Sequence, residues 1–326
     1  MHGADLCRPF IIVQGDFSMR KIIVGSRSSK LAMTQTKWVI DQLKQAGAPY
    51  EFEIKNIITK GDRILDVTLS KVGGKGLFVK EIEQQMIDEE IDFAVHSMKD
   101  LPSELPDGLI IGATPARVDA RDALITKTGE GLASLPEGAV VGTSSLRRGS
   151  QLLKLRPDLK IESIRGNIDT RLDKLKNGPF DGILLAAAGL KRMGWSEDVV
   201  SEYLSTEDMI PAVGQGILGI ECREHDQEVR DLLHLIHDQM TEKVAYAERA
   251  FLAAIEGSCH VPVGGFATIN EDMSTTLVGF IGSVDGEQIL IERESGLDPM
   301  HLGQDVAERL LASGGREILA TLPDDL

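Results

Sequence analysis

The hydrophobic pattern begins at Lys21-Ile-Ile-Val-Gly25, a short apolar run that predicts a buried strand. Ser26-Arg-Ser-Ser29 follows, and from Lys30 to Gln45 the apolar positions recur at helical spacing. Glu51–Ile58 predicts a second strand. The glycine-rich Gly73-Gly-Lys-Gly76 leads into a predicted helix from Phe78 to Asp88. Asp92–His96 predicts a strand that ends in Ser97-Met-Lys-Asp100, after which Pro102 and Pro106 keep the chain irregular. The rhythm then repeats. Ala139-Val-Val-Gly142 predicts a strand, and Thr143-Ser-Ser145 caps a helix carrying Leu146, Leu152, Leu153 and Leu155. Lys160–Ile164 predicts a strand, Ile168–Leu175 a helix, and Gly182–Ala187 a strand leading into Gly189-Leu-Lys-Arg-Met-Gly194. Alternating strands and helices with short loops predict parallel α/β sheets. Val24-Gly-Ser-Arg-Ser-Ser29 and Val141-Gly-Thr-Ser-Ser-Leu-Arg-Arg148 are each a strand, a glycine turn and a hydroxyl-rich helix start. Two similar lobes with a cleft between them is the simplest architecture. Ile217–Glu221 predicts a further strand returning to the first lobe. Helices at Gln227–Ile236 and Lys243–Ile255 precede strands at Phe266–Ile269, Thr275–Ile281 and Gln288–Glu294 and a helix at Met300–Ser313, a small α+β unit.

Composition narrows the picture. The chain has 326 residues, 42% hydrophobic and 26% charged, which excludes disordered and fibrous classes and leaves room for two or three cores. No apolar run approaches the roughly 20 residues of a membrane-spanning helix. A net charge of −16 argues against a nucleic-acid binder. The charge is uneven, however: from Val141 to Arg192 there are eleven basic and five acidic residues, a net +6. A basic island in an acidic chain suggests an anionic small ligand. The three cysteines, Cys7, Cys222 and Cys259, contain no CxxC pair, so neither a disulfide framework nor a zinc site is indicated, and a reducing cytoplasm fits. Residues 1–18 carry Asp5 and Asp16 and do not read as a secretory signal; they read as a leader extension ahead of a start at Met19.

The candidate chemistry lies at the ends of elements, where α/β folds place ligands. Helix N-termini attract anions, and here two of them carry hydroxyls (Ser28, Ser29, Thr143, Ser144, Ser145) and guanidiniums (Arg27, Arg147, Arg148). The bland alternative is that the hydroxyls only cap helices. Arg165-Gly-Asn-Ile-Asp-Thr-Arg171 and Lys191-Arg192 add further cations. No phosphate-binding GxxxxGK[ST] occurs and no GxGxxG follows a predicted strand, and separated arginines suit a ligand with several carboxylates. Asp100 could act as an acid or base, stabilise a cation, or simply pair with Lys99. His96 reads as structural, as does Cys222 after its apolar strand. Cys259 sits in a glycine-flanked loop, Glu256-Gly-Ser-Cys-His-Val-Pro-Val-Gly-Gly265, suited to an exposed thiolate nucleophile, with the neighbouring His260 badly placed to serve it as a base.

Taken together, these motifs resemble the porphobilinogen deaminase (hydroxymethylbilane synthase) family. The resemblance rests on Gly25-Ser-Arg-Ser-Ser-Lys-Leu-Ala32, Gly73-Gly-Lys-Gly-Leu-Phe78, His96-Ser-Met-Lys-Asp-Leu-Pro102, Gly142-Thr-Ser-Ser-Leu-Arg-Arg148, Arg165-Gly-Asn-Ile-Asp-Thr-Arg-Leu172, Ala212-Val-Gly-Gln-Gly216 and Gly257-Ser-Cys259. It implies two periplasmic-binding-protein-like α/β lobes joined by a hinge, plus a small α+β C-terminal domain. The expected boundaries are 19–115 with 212–238, 116–211, and 239–326. It also implies a dipyrromethane cofactor joined by a thioether to Cys259, and a transferase that condenses four porphobilinogens with loss of ammonia before hydrolysis releases hydroxymethylbilane. Asp100 would be the catalytic carboxylate, interacting with pyrrole nitrogens and stabilising the cationic azafulvene. Arg27, Ser29, Lys99, Thr143, Ser145, Arg147, Arg148, Arg165, Arg171 and Arg192 would bind cofactor and substrate carboxylates, with Arg147 and Arg148 weighted towards cofactor assembly and Arg27 and Arg165 towards elongation. Lys75 would lie near a mobile lid and Gln215 near the inter-lobe crossover. The expected protein is a cytoplasmic monomer with a small-molecule substrate and no nucleic-acid or membrane partner. The alternatives are a two-lobed anion-binding protein without chemistry and a cysteine hydrolase.

Overall fold

The computed structural model describes residues 20–63, 79–255 and 261–321. In chain order the first elements are β1 (Lys21–Arg27), α1 (Lys30–Gln45), β2 (Glu51–Ile57), α2 (Lys60–Arg63), α3 (Lys80–Ile87), β3 (Phe93–Ser97) and β4 (Leu109–Ala113). A second group follows: β5 (Asp122–Thr126), β6 (Val140–Gly142), α4 (Leu146–Leu155), β7 (Lys160–Glu162), α5 (Ile168–Asn177), β8 (Gly182–Ala186), α6 (Ala187–Arg192) and β9 (Glu202–Tyr203). The chain then runs through β10 (Leu218–Arg223), α7 (Gln227–His234), α8 (Gln239–Ala254), β11 (Val263–Ile269), β12 (Thr275–Gly282), β13 (Ile289–Gly296) and α9 (Pro299–Leu310). The glycine-rich 73–76 segment lies outside the described residues.

Two five-stranded sheets form the lobes, in the orders β2-β1-β3-β10-β4 and β7-β6-β8-β5-β9. The orders are equivalent, so the echo between the two halves of the sequence is a repeat of topology. Both sheets are mixed, not parallel as predicted. β10 runs antiparallel to β3 and β4, and β5 runs antiparallel to β8 and β9. The reason is the crossover: β5 and β10 are the strands that enter each lobe from the other one. β4, β5 and β9 were not anticipated, because short apolar runs flanked by charge and proline carry no distinctive period.

The first core packs Ile22, Val24, Phe93 and Ile220 against Val39 and Leu43 of α1 and Val229 and Leu233 of α7. The second sheet buries both faces, Leu124, Val141 and Leu184 on one and Ala123, Ile125 and Ile183 on the other. The antiparallel β11-β12-β13 sheet is covered by α8 and α9, with Phe251, Val306 and Leu310 packed among Leu277 and Ile281. Side-chain caps start the helices: the Ser29, Ser145 and Asn167 oxygens accept from the backbone N–H groups of Ala32, Arg148 and Thr170. Every residue of β10 is buried, Cys222 included, and burial pushes the Cys222 thiol up to about 12. No helix among the described residues is long and apolar enough to cross a membrane.

The chain crosses between lobes twice, from β4 to β5 and from β9 to β10. The second crossing needs glycine. Gly214 and Gly216 have φ of +72° and +88°, and a Cβ on Gly216 would lie 2.7 Å from the Val118 carbonyl oxygen of the first crossing. The third sheet grips this hinge through Glu248 of α8. Its carboxylate is fully buried and accepts from Gly214 N (2.6 Å), Ala267 N (2.8 Å) and Arg117 Nη1 (2.6 Å).

Candidate active site

A cleft of about 580 Å³ lies between the two lobe sheets. The first lobe contributes Arg27 at the end of β1, Ser29 at the cap of α1, and Lys99 and Asp100 in the turn after β3. The second contributes Arg148 of α4, Arg165, Arg171 of α5 and Arg192 at the end of α6. Residues separated by more than a hundred positions thus converge because both lobes direct the ends of their strands at the same space.

Other expected residues stand behind this wall. Thr143 and Ser145 are turn and cap groups: Thr143 Oγ1 accepts from Ser145 N (3.1 Å) and Ser145 Oγ from Arg148 N (3.4 Å). Neither lines the cleft. Arg147 is buried away from it, with Nη1 donating to Ile210 O (2.6 Å) and Nη2 to Asp122 Oδ2 (2.8 Å). Successive helical residues point about 100° apart, so Arg147 faces the hinge while Arg148 faces the cleft. Gln215 is fully buried in the second crossing, where Lys99 Nζ donates to its Oε1 at 3.3 Å. Lys75 and Cys259 lie outside the described residues.

The cleft holds more positive charge than its own carboxylates offset. The Lys99 ammonium is desolvated and faces Arg148, which brings it down to about 8 although Asp100 and Asp122 oppose the change. Arg171 is held at about 10 by burial and by Arg148 and Arg165, and Arg192 at about 10 by burial. Arg171 Nε donates to Gly166 O (2.8 Å) and Arg192 Nη2 to Gly216 O (2.8 Å), so both side chains are set in place by backbone carbonyls. Asp100 is exposed in the cleft and is the only acid among the described lining residues. His96 plays the structural part expected of it, its Nε2 3.0 Å from Glu221 Oε2 in the buried interior of the first lobe.

Some lining residues were not anticipated. Gln35 of α1 donates through Nε2 to Ser97 Oγ (3.0 Å), and both line the cleft. Lys30 also lines it and reaches Asp169 of the opposite lobe at 3.2 Å. Asp122 beneath the cleft was missed as well; the available signal was the acid heading Asp122-Ala-Leu-Ile-Thr126, an apolar run between Arg121 and Lys127.

Residues 22–231 match the family model for the dipyrromethane cofactor-binding domain of porphobilinogen deaminase, and residues 243–312 match that for its C-terminal domain. A porphobilinogen deaminase of Exiguobacterium sibiricum is 90% identical over 94% of this chain and all of its own length. One from Halalkalibacterium halodurans is 60% identical over 92% of this chain and 97% of its own. Among solved structures, an arginine-specific periplasmic binding protein of Salmonella typhimurium aligns with a TM-score of 0.40 and 15% identity, over 71% of this chain and 97% of that one. The chain belongs to the porphobilinogen deaminase family, transferases of tetrapyrrole biosynthesis with hydroxymethylbilane synthase activity.

Proposed function

We propose that the cleft holds a dipyrromethane joined through a thioether to Cys259 and there condenses four porphobilinogens into hydroxymethylbilane. The observation that carries this reading is the ring of Arg27, Lys99, Arg148, Arg165, Arg171 and Arg192 around about 580 Å³, with Asp100 in its midst. Each pyrrole unit brings an acetate and a propionate, and forked guanidiniums on both lobes are the donors that such carboxylates need. The residues present therefore fit a dipyrromethane. When bound, that group would supply the pyrrole carbon to which the first substrate unit is joined.

The remaining work belongs to the chain. Arg148, Arg171 and Arg192, each fixed by a capped helix or a carbonyl, hold carboxylates in place. Arg27 and Arg165, on opposite lobes, serve loading and elongation. Thr143 and Ser145 set the start of α4 and so aim Arg148. The Asp100 carboxylate accepts pyrrole N–H groups, stabilises positive charge developing on the substrate as ammonia leaves, and accepts a proton as aromaticity returns. An anion-binding protein would need the arginines but not a carboxylate among them. Lys75 and Cys259 keep the lid and attachment roles that the family resemblance implies. In this reading the protein acts as a monomer, and a thiol that must stay reduced until it is loaded suits the cytoplasm. The substrate is a small molecule, and neither a nucleic acid nor a membrane takes part.

Supplying porphobilinogen and following ammonia and hydroxymethylbilane tests the activity; absence of product from the wild type overturns it. Intact mass tests the attachment. Cys259→Ser should lose the mass of two pyrrole units while Cys222→Ser keeps it, and an adduct surviving in Cys259→Ser overturns the assignment.

A further inference from the structure

A fully buried carboxylate lies beneath the cleft floor, at the junction of both crossings. Asp122 opens β5 as the chain enters the second lobe. Its Oδ1 accepts from Arg148 Nε (3.0 Å), Arg148 Nη2 (2.7 Å) and Gln215 Nε2 (2.9 Å), and its Oδ2 accepts from Arg147 Nη2 (2.8 Å). Gln215 also donates to Ala120 O (2.7 Å) while accepting from Lys99 Nζ. Arg148 Nη1 is held by Leu184 O at 3.0 Å. One carboxylate thus faces two guanidiniums directly and a third cation through one amide, and two of those three cations line the cleft.

We infer that Asp122 is a positioning residue for the reaction: it locks the Arg148 fork in the cleft wall and, through Gln215, sets the Lys99 ammonium in the cleft floor. The inference rests on the reading that Lys99 and Arg148 hold pyrrole carboxylates. Three features support a role beyond folding. Arg147 alone would satisfy a structural need, since it joins Asp122 to the Ile210 carbonyl. Arg148 instead spends its Nε and both Nη groups on protein oxygens, so its orientation is settled before any ligand arrives. Gln215 uses its amide as a two-way link, donor to the carboxylate and acceptor from the ammonium. Removing either member of the link leaves Lys99 with the repulsion of Arg148 and Arg147 and with less compensation. The charged groups that bear on Lys99 are Arg148, Asp100, Asp122 and Arg147, of which Asp100 and Asp122 favour its charged form.

The test uses cofactor-loaded enzyme, with loading checked by intact mass, and reads the pH dependence of kcat/KM for porphobilinogen. That profile reports groups of the unliganded holoenzyme. In Asp122→Asn and in Gln215→Met, the alkaline limb set by Lys99 should move to lower pH by roughly half a unit or more, and KM should rise about tenfold. Asp92→Asn is the control for a purely structural loss. Asp92 pairs with Arg223 (3.1 Å) and Arg20 at the opposite end of β3 from Lys99. Its replacement should lower Tm and leave the limb where it is. Should Asp122→Asn fail to fold, Gln215→Met decides. A limb at the wild-type pH in the folded, loaded Gln215→Met variant overturns the inference. So does an equal shift in Asp92→Asn, or loss of the fold in Gln215→Met, because a positioning bond is separable from folding. A wild type that makes no hydroxymethylbilane refutes the activity instead, a result distinct from an active enzyme whose limb does not move.

Discussion

Asp100 ends the turn after β3 in a cleft whose other charged lining residues, among those described, are all cations. Such a setting makes the charge of this carboxylate the property to test. Asp100→Asn keeps the shape and removes the charge, whereas Asp100→Glu keeps the charge and displaces it by a methylene. If stabilising a developing cation is its task, Asn should lose nearly all turnover, on the order of a hundredfold or more, and Glu should keep a measurable part. Substrate affinity should change less than turnover in both. Single-turnover formation of enzyme–substrate complexes, after confirming cofactor loading, is the measurement; an Asn variant as fast as the Glu variant would leave Asp100 a partner of Lys99 and nothing more. At this scale most of the cleft was legible in the sequence, because strand-end motifs with arginine and serine mark where α/β folds put ligands. What was not legible was direction. Arg147 and Arg148 are adjacent in one motif, yet only Arg148 lines the cleft. Asp122 belongs to a strand with no periodic signature, so its partners could not be read ahead of the fold.

Elements show the same division. Most of the longer helices were legible because an apolar stripe follows a polar cap, as it does after Ser29 for α1 and Asn167 for α5. Strand direction was not, since an apolar run looks the same whichever way it enters a sheet. β5 and β10 take their direction from the hinge, and the hinge depends on Gly216. Its carbonyl accepts from Val118 N (3.1 Å) in the first crossing and from Arg192 Nη2 in the cleft. Gly216→Ala must place a Cβ against the Val118 carbonyl at a φ of +88°. The expected cost is roughly 1–3 kcal/mol, with Tm falling by several degrees and KM rising as Arg192 loses its anchor. Calorimetry beside steady-state kinetics checks both effects. An unchanged Tm would mean that the two crossings can part without penalty, contrary to their close approach.

The whole molecule carries one more consequence of its packing, in the dependence of its stability on pH. Glu83 of α3 is 6% exposed, and its Oε1 has no hydrogen-bond partner. Behind it lies Glu221 of β10, fully buried, with neither carboxylate oxygen hydrogen-bonded and His96 its near neighbour. Burial, and next the Glu221 charge, raise Glu83 to about 7, against the weaker pull of His96 and Lys80. In the unfolded chain the same group titrates near its ordinary value of 4.5. Between these two values the folded state holds a proton that the unfolded state has released. Stability must therefore fall as pH rises from 4.5 to 7, and above 7 the loss is complete. The full effect is on the order of 3 kcal/mol. Glu83→Gln keeps the neutral shape at every pH. It should match the wild type near pH 5 and exceed it in stability at pH 8, so the difference between the two unfolding free energies grows across the window. Urea unfolding of both proteins at a series of pH values measures that difference directly. Curves that stay parallel from pH 5 to 8 would show that Glu83 ionises in the folded lobe as readily as in the open chain, and that burial beside Glu221 carries no cost.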